Sequence, residues 1–490
     1  MTTVFSAFER TAAAHGEKPF LEMPGWDLKL SYAAARESVA ESAARYRARG
    51  YGPGHRVALK LETRPEFLLH FLALNSLGVA VVPVNPDYRE AELHYVLEHS
   101  EASALITPQS LEDPPRPGRS VGAEECALLY TSGTTGKPKG CLLSNFYFLN
   151  VGQRYLDEGG LCAVRPGEER LITPLPLFHM NALAVSTTAM ILSGGCLIQL
   201  DRFHPRTWWR DVAESGATIV HYLGVMPAIL LSQPEEIHEK ACRVRFGYGA
   251  NANPADHAAF EARFGFPLVE AWAMTETGGG ALVAASREPR HVGTRCIGFP
   301  RPELGFKIEE SGELLVRNAG ADPRRGFFSG YLKDEQATAH AWRDGWFHTG
   351  DAVRRGADGS LHFVDRLKNI IRRAGENIAA LEVEAALAGH PAIAQVAVIA
   401  VPDPVRDEEV MACVVVRNHE KSRQTAIAIQ DWCLERLAYF KAPGHVAFVA
   451  ALPTTATNKV QKAKLADFAF DASDTFDLRE RKKRNAAKAV

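Results

Sequence analysis

No Cys-x-x-Cys pair occurs among the eight cysteines, which are scattered along the chain. That argues against a paired-cysteine zinc site and against a disulfide framework. The cysteines read instead as small buried apolar residues in a reducing cytoplasm, the expected location. An excess of one charge is lacking too. Lys and Arg number 56 against 58 Asp and Glu, for a net charge of −2, so no overall field recruits nucleic acid or a membrane surface. The most apolar stretch, Leu68 to Val84, is interrupted by His70, Asn75, Ser76 and Pro83, whereas a membrane span needs about 20 mostly apolar residues. It reads as a buried helix running into a buried strand, and no integral membrane association is expected. The start, Met1-Thr-Thr-Val-Phe-Ser, has neither the basic nor the apolar region of a signal peptide. There is no internal repeat. With 46% apolar and 23% charged residues, the composition is that of an ordinary globular protein.

What the sequence does have is concentrated between Leu128 and Gly140: Leu-Leu-Tyr-Thr-Ser-Gly-Thr-Thr-Gly-Lys-Pro-Lys-Gly. Three apolar residues read as the end of a strand. Four hydroxyls (Thr131, Ser132, Thr134, Thr135), three glycines (Gly133, Gly136, Gly140) and two lysines (Lys137, Lys139) follow. Glycine lets a backbone approach a ligand and turn its N–H groups toward one point. Hydroxyls and lysines add donors, so these are the parts of a phosphate cradle. It is not a Walker A loop, because Pro138 stands where the magnesium-holding Ser or Thr belongs. No Gly-x-Gly-x-x-Gly follows a predicted strand either.

Strand and helix patterns alternate from the N-terminus onward. Thr2 to Arg10 predicts a helix, Arg56 to Leu61 a strand, Thr63 to Leu77 a helix, Val79 to Pro83 a buried strand and Ala104 to Thr107 another. Such alternation predicts α/β architecture with parallel strands covered on both faces. From Gly312 the pattern shifts to short strands and turns, and a boundary is expected near Asp365. The expected organisation is a large N-terminal domain of mixed sheets flanked by helices over 1–365. A small mobile α+β domain follows over 366–470, and then a disordered tail over 471–490, which carries the basic run Arg479-Glu-Arg-Lys-Lys-Arg.

The run from Tyr130 to Gly140 resembles, residue for residue, the phosphate-binding signature of the adenylate-forming superfamily: acyl-CoA synthetases, adenylation domains and beetle luciferases. Further segments match that family in its order. The resemblance implies that Thr131, Ser132, Gly133, Thr134, Thr135 and Lys139 bind phosphate. It places Gly249 and Ala250, in Gly247-Tyr-Gly-Ala, along the adenine and acyl pocket. In Trp272-Ala-Met-Thr-Glu it gives Trp272 to adenine, Thr275 to the α-phosphate and Glu276 to Mg²⁺. Ala271 and Ala273 depart from the family's usual glycines, and the Ala273 methyl should narrow the pocket. Asp351, in His348-Thr-Gly-Asp, and Arg366 would hold ribose. Lys368 takes the hinge position, Arg372 and Gly375 would face the CoA tunnel, and Lys459 takes the catalytic lysine's position, with Asn458 replacing the usual glycine. His179, in Pro176-Leu-Phe-His-Met-Asn, matches a residue beside the acyl pocket that can gate the thiol's path. Amino-acid-activating domains typically carry aspartate there, so an α-amino acid is disfavoured.

The resemblance spans about residues 5 to 465. It implies an acyl-CoA ligase in which a carboxylate attacks Mg·ATP to give acyl-adenylate and pyrophosphate, and CoA then displaces AMP. Arg373-Ala-Gly-Glu-Asn-Ile and Val401-Pro-Asp-Pro-Val-Arg-Asp-Glu-Glu are similar to bacterial carnitine/crotonobetaine-CoA ligase-like and medium-chain acyl-CoA ligases. Trp272 and Tyr222 could then offer a cation–π surface to a quaternary ammonium. The partners expected are a small carboxylic acid, ATP and CoA, with a homodimer as the assembly. Two alternatives stay open: loading of a carrier protein's phosphopantetheine, and a non-catalytic nucleotide-binding paralogue.

Overall fold

The computed structural model describes residues 2–131, 138–373, 376–454, 460–469 and 474–482. The chain divides into two compact units. The first takes Met1–Lys307, Leu315–His348 and Gly356–Leu361, and the second takes Ile308–Leu314, Thr349–Arg355 and His362–Val490.

In the first unit, the strands Arg56–Leu59 and Ala80–Pro83 are buried at every position. They pair in parallel, and Arg56–Leu59 also pairs in parallel with Ala104–Ile106. Continuous apolar runs of this kind are what a strand covered on both faces requires. Among the described residues this sheet runs Gly330–Tyr331, Lys139–Leu143, Ala127–Thr131, Ala80–Pro83, Arg56–Leu59, Ala104–Ile106. The helix Pro65–Ser76 connects two of its strands, with proline at its start, where the missing N–H costs nothing.

A second sheet of the first unit runs Val283–Ala284, Leu268–Trp272, Phe246–Ala250, Ile219–Leu223, Arg170–Thr173, Cys196–Gln199, Pro19–Met23, Leu28–Ser31 among the described residues. Its central strands are parallel, so Leu223, Ala250 and Trp272 all end on one edge. Ligands of open α/β sheets collect at that carboxyl edge. One face is packed by an aromatic cluster that includes Trp208, Trp209, Phe260, Phe264 and Phe266. Trp209 and Phe264 lie 4.3 Å apart between ring centroids. Phe260 and Phe264 come from the helix Pro254–Phe264, which Asn253 caps by accepting the Ala255 N–H. This helix starts at Pro254, a short turn after Gly249 and Ala250, so its packing helps to fix the chain that leaves them. The mixed α/β architecture expected from the alternating patterns is the one observed.

The second unit has its own sheet, Glu376–Ala379, Ile370–Arg373, Asp407–Val416, His445–Phe448, Thr475–Asp477, with Ile393–Asp403 beside Asp407–Val416. Ile371, Ile378, Val383, Leu387, Val398, Val410 and Ile429 share its core. The helices Ala380–Ala388 and Arg423–Leu434 supply Val383, Leu387 and Ile429.

One expectation is corrected here. Residues 474–482 are not a disordered tail. Thr475–Asp477 pairs antiparallel with His445–Phe448. Arg479 reaches Asp403 at 2.8 Å, Arg481 reaches Asp431 at 2.6 Å and Lys482 reaches Glu409 at 2.5 Å. Arg479, Arg481 and Lys482 find their counterions on other elements of the same unit. All eight cysteines are free and seven are buried, Cys242 being half-buried. Among the described residues no helix is long and apolar enough to cross a membrane.

Candidate active site

The cradle segment begins and ends on a hairpin. Ala127–Thr131 pairs antiparallel with Lys139–Leu143, and Thr131 stands directly opposite Lys139. A residue with a hydroxyl and a residue with an ammonium therefore face each other where the glycine-rich segment leaves the sheet and returns. Ser132, Gly133, Thr134 and Thr135 lie outside the described residues.

The structure links this hairpin to Glu276 through a residue that carries no motif. Tyr331 donates its hydroxyl to Glu276 Oε1 at 2.9 Å. The Lys139 ammonium lies 4.9 Å from the centre of the same tyrosine ring, within cation–π range, and 3.6 Å from Asp334. Burial, and then the Glu276 charge, push the Tyr331 hydroxyl far above its usual range, so it stays a donor. Tyr331 sits on a two-residue strand, Gly330–Tyr331, that pairs with Cys141 and Leu142. Beside it, Tyr147 donates to the Thr275 carbonyl at 2.8 Å, and the Met274 N–H is held by the Thr277 hydroxyl at 2.9 Å. Thr275 and Glu276 are thus clamped from two sides. Glu276 is buried, and among the described residues no cluster of three or more His, Cys, Asp or Glu could hold a metal. One carboxylate linked to the hairpin that carries Thr131 and Lys139 would suit Mg²⁺, which keeps waters and shares its coordination with substrate phosphates.

Gly249 and Ala250 end the strand Phe246–Ala250. A Cβ on Gly249 would lie 2.2 Å from the Tyr222 carbonyl oxygen, so only glycine fits. Gly249→Ala is expected to displace this strand end and to cost about 2 kcal/mol or more by overpacking, read as a drop in unfolding midpoint. Trp272 ends the next strand and is only 6% exposed. Tyr222 is packed more tightly still. Its ring meets Gly249 and its hydroxyl is bound to Glu270 at 3.0 Å, so it is packing rather than the open cation–π face expected of it.

His179 is half-buried beside Phe178, with ring centroids 4.7 Å apart. Burial pushes its pKa down to about 4, so the imidazole is neutral at physiological pH. Its carbonyl accepts the Leu183 N–H at 3.0 Å as the chain enters a π-helical segment, Asn181–Ser186. Sequence patterning predicts an ordinary helix from Ala182 to Ser193; the α-form begins only at Thr187. Such wide turns re-aim side chains and recur at functional sites. Here Asn181 and Ser186 both reach His221 Nδ1, at 3.0 and 2.9 Å, while His221 Nε2 lies 3.1 Å from the Tyr155 hydroxyl. His221 lies in no motif of the sequence. Its signal was a histidine inside an apolar strand, which must find partners when buried.

The residues expected at the ribose and at the hinge belong to the second unit. Asp351 is buried, with its carboxylate 2.6 Å from Arg366 Nε. The turn before it is fixed by backbone bonds. Gly350 adopts φ +67 and donates to Glu313 at 2.9 Å, while the Thr349 hydroxyl donates to the Leu314 carbonyl at 2.6 Å. Asp365 is fully buried and accepts from the Arg366 N–H, Asn369 and the Leu381 N–H at 2.7 to 3.0 Å. It ties the end of one strand to the start of the helix Ala380–Ala388. Lys368 follows on the short helical turn Leu367–Asn369. Burial and the neighbouring Arg366 lower its pKa, against the pull of Asp351. Arg372 is exposed, whereas its neighbour Arg373 is buried on Glu409. Gly375 and Lys459 lie outside the described residues.

Comparison with known proteins adds to this geometry. The AMP-binding enzyme family matches residues 8–124 and 112–332, and the AMP-binding enzyme C-terminal domain matches residues 382–459. A sulfoacetate–CoA ligase of Cupriavidus necator is 31% identical over 94% of this chain and 96% of its own. A crotonobetaine/carnitine–CoA ligase of Salmonella arizonae is 28% identical over 89% of this chain and 93% of its own. The o-succinylbenzoate CoA synthetase of Bacillus subtilis, solved with its acyl-adenylate intermediate, superposes with a TM-score of 0.81. It is 24% identical, covering 95% of this chain and 98% of that one, and so speaks for the fold alone. The order of the motifs, the two-unit architecture and the matches over nearly the full length agree: this chain belongs to the AMP-binding enzyme family.

Proposed function

We infer that the chain is an AMP-forming acid–thiol ligase that joins a small carboxylic acid to CoA. The observation that carries this reading is the full-length similarity to CoA ligases, with the Lys139–Tyr331–Glu276 connection in place beside the cradle. In the first step the acid attacks the α-phosphate of ATP, forming the acyl–O–P bond and releasing pyrophosphate. The acid is already ionised at neutral pH, so no general base is needed, in keeping with a neutral His179. Positioning and charge neutralisation supply the rate. Lys139, Thr131, Ser132, Gly133, Thr134 and Thr135 are assigned to the phosphates, Thr275 to the α-phosphate, Trp272, Gly249 and Ala250 to adenine, and Asp351 with Arg366 to ribose. Glu276 is the residue to hold Mg²⁺, which when bound supplies charge neutralisation to the phosphates. In the second step the CoA thiol displaces AMP, with Arg372 and Gly375 assigned to CoA, His179 to the acyl side and Lys368 to the hinge after a boundary near Asp365. Cytoplasm, where ATP and CoA are held, is the proposed setting.

The test is AMP release with ATP, Mg²⁺ and CoA across a panel of acids: sulfoacetate, carnitine, crotonobetaine, short and medium straight chains, and aryl acids. CoA-dependent AMP release with one acid class is the expected result. Pyrophosphate exchange with no CoA thioester would move the acceptor to a carrier protein. ATP binding without turnover on any acid would overturn the ligase reading.

A further inference from the structure

Three neighbouring parallel strands, Ile219–Leu223, Phe246–Ala250 and Leu268–Trp272, meet near their carboxyl ends at one carboxylate. Glu270 is 4% exposed. Its Oε2 accepts the Asn251 N–H at 2.8 Å, and its Oε1 accepts the Ala252 N–H at 2.8 Å and the Tyr222 hydroxyl at 3.0 Å. Among the described residues no ion pair neutralises it. A buried carboxylate without a cation is costly unless its oxygens are well bonded, so its presence calls for a reason.

The reason lies in the turn it fills. Asn251 adopts φ +64, in the left-handed region. The N–H groups of Asn251 and Ala252 therefore converge on one side of the chain, the kind of backbone concavity that binds anions. Here the anion is a side chain of the next strand. Without it, two inward-facing N–H groups would lack partners. Gly249 and Ala250 immediately precede this turn. Trp272 lies two residues beyond Glu270 on the same strand and hence on the same side of it. The Ala250 carbonyl is held as well, by the Gly224 N–H at 2.9 Å. One carboxylate thus sets the spacing between the two segments assigned to adenine.

We propose that Glu270 is a positioning residue for the nucleotide: it holds the Asn251–Ala252 turn so that Gly249, Ala250 and Trp272 stand at the separation the adenine ring requires. The proposal rests on the adenylate-forming reading of the site. Glu270 touches neither substrate nor the reacting atoms, so its loss weakens ATP binding rather than the chemical step.

Glu270→Gln keeps the side chain's size but turns an NH₂ group toward one of the two backbone N–H groups. In the full-length protein it is expected to raise KM for ATP roughly tenfold, with kcat within about twofold and the KM values for acid and CoA unchanged. Glu270→Asp retains the charge and should recover part of the loss. Tyr222→Phe removes only the third bond, leaves the turn bracketed, and should raise KM for ATP about two- to threefold. It carries the test if Glu270→Gln does not fold. Calorimetric titration with α,β-methylene-ATP and Mg²⁺ gives a readout free of turnover. If the unaltered protein does not bind the analogue, the adenylate-forming reading falls. If it binds, and both variants bind equally well, the role of Glu270 falls. Loss of kcat with KM for ATP unchanged would likewise overturn it.

Discussion

Lys459→Ala is expected to abolish acyl-adenylate formation while leaving thioester formation from supplied acyl-adenylate nearly intact. In the first step the substrate carboxylate and the α-phosphate approach each other as two anions. A flexible ammonium placed there gains strength as the charges converge and is worth most in the transition state. Removing one such donor from a water-poor site typically costs about 10²–10³-fold in rate. The second step brings a thiol to a carbonyl already activated by AMP, and it makes no equal demand on that charge. The measurement is pyrophosphate exchange for the first half-reaction and AMP release from synthetic acyl-adenylate plus CoA for the second. Equal loss in both would remove Lys459 from the role its segment, Thr457-Asn-Lys-Val-Gln-Lys, gives it. Asn458 adds a second expectation. Asn458→Gly restores the family's usual residue and should leave the first step within about threefold, because the charge stays in place.

The parts of this site that could be read from the sequence are local. The candidate cradle stands out because glycines, hydroxyls and lysines that are to surround one phosphate have to be contiguous. The segments carrying Trp272, Thr275, Glu276 and Asp351 stand out in the sequence through their resemblance to a known family, and the turn before Asp351 also through Gly350, which supplies the positive φ. The central parallel strands are legible because burial on both faces leaves only apolar residues to choose from. What was missed depends on contacts distant along the chain. Tyr331 is 55 residues from the glutamate it binds and 192 from Lys139, and nothing adjacent to it forms a pattern. Glu270 looks like a polar residue at a strand end; only the paired register of the strands brings the Asn251 turn to it. Tyr222 reads as an aromatic surface because sequence shows ring chemistry, not packing. The basic run at Arg479 reads as solvated tail because the counterions of Arg479, Arg481 and Lys482, which are Asp403, Asp431 and Glu409, are spread over distant elements, and no local rule predicts a buried ion pair from one partner alone.

That last miss leads to the largest stability effect expected. Glu409 is fully buried. Arg373 Nε lies 2.9 Å from each of its oxygens, Lys482 Nζ lies 2.5 Å from Oε1, and the Val410 N–H donates to Oε1 at 2.8 Å. Lys482 also donates to the Phe440 carbonyl at 3.1 Å. Glu409→Gln strands two buried cations, and breaking a buried pair by removing one partner costs about 3–5 kcal/mol. The loss should appear as faster hydrogen exchange across Asp407–Val416 and Ile370–Arg373 in the full-length protein, with the strands of the first unit unchanged. Protection of both segments at the native level would show that the cluster contributes little. Lys482 offers a cleaner second measurement, because its burial has a pH signature. Desolvation lowers its pKa to about 8, against the attraction of Glu409. An unfolded lysine titrates near 10.4. Between these values the unfolded chain binds the proton and the folded chain does not, so stability attributable to this group rises with pH across that window. Below pH 8 the full cost of burying the ammonium is present; above about 10.4 it is gone. Lys482→Met keeps the length of the side chain and cannot titrate, and Glu409 retains Arg373. The difference in unfolding free energy between the unaltered protein and Lys482→Met should therefore grow with pH by about 3 kcal/mol over the window. A flat difference would mean that Lys482 titrates alike in both states, and that the C-terminal stretch is held by its strand pairing and by Arg479 and Arg481 rather than by the buried lysine.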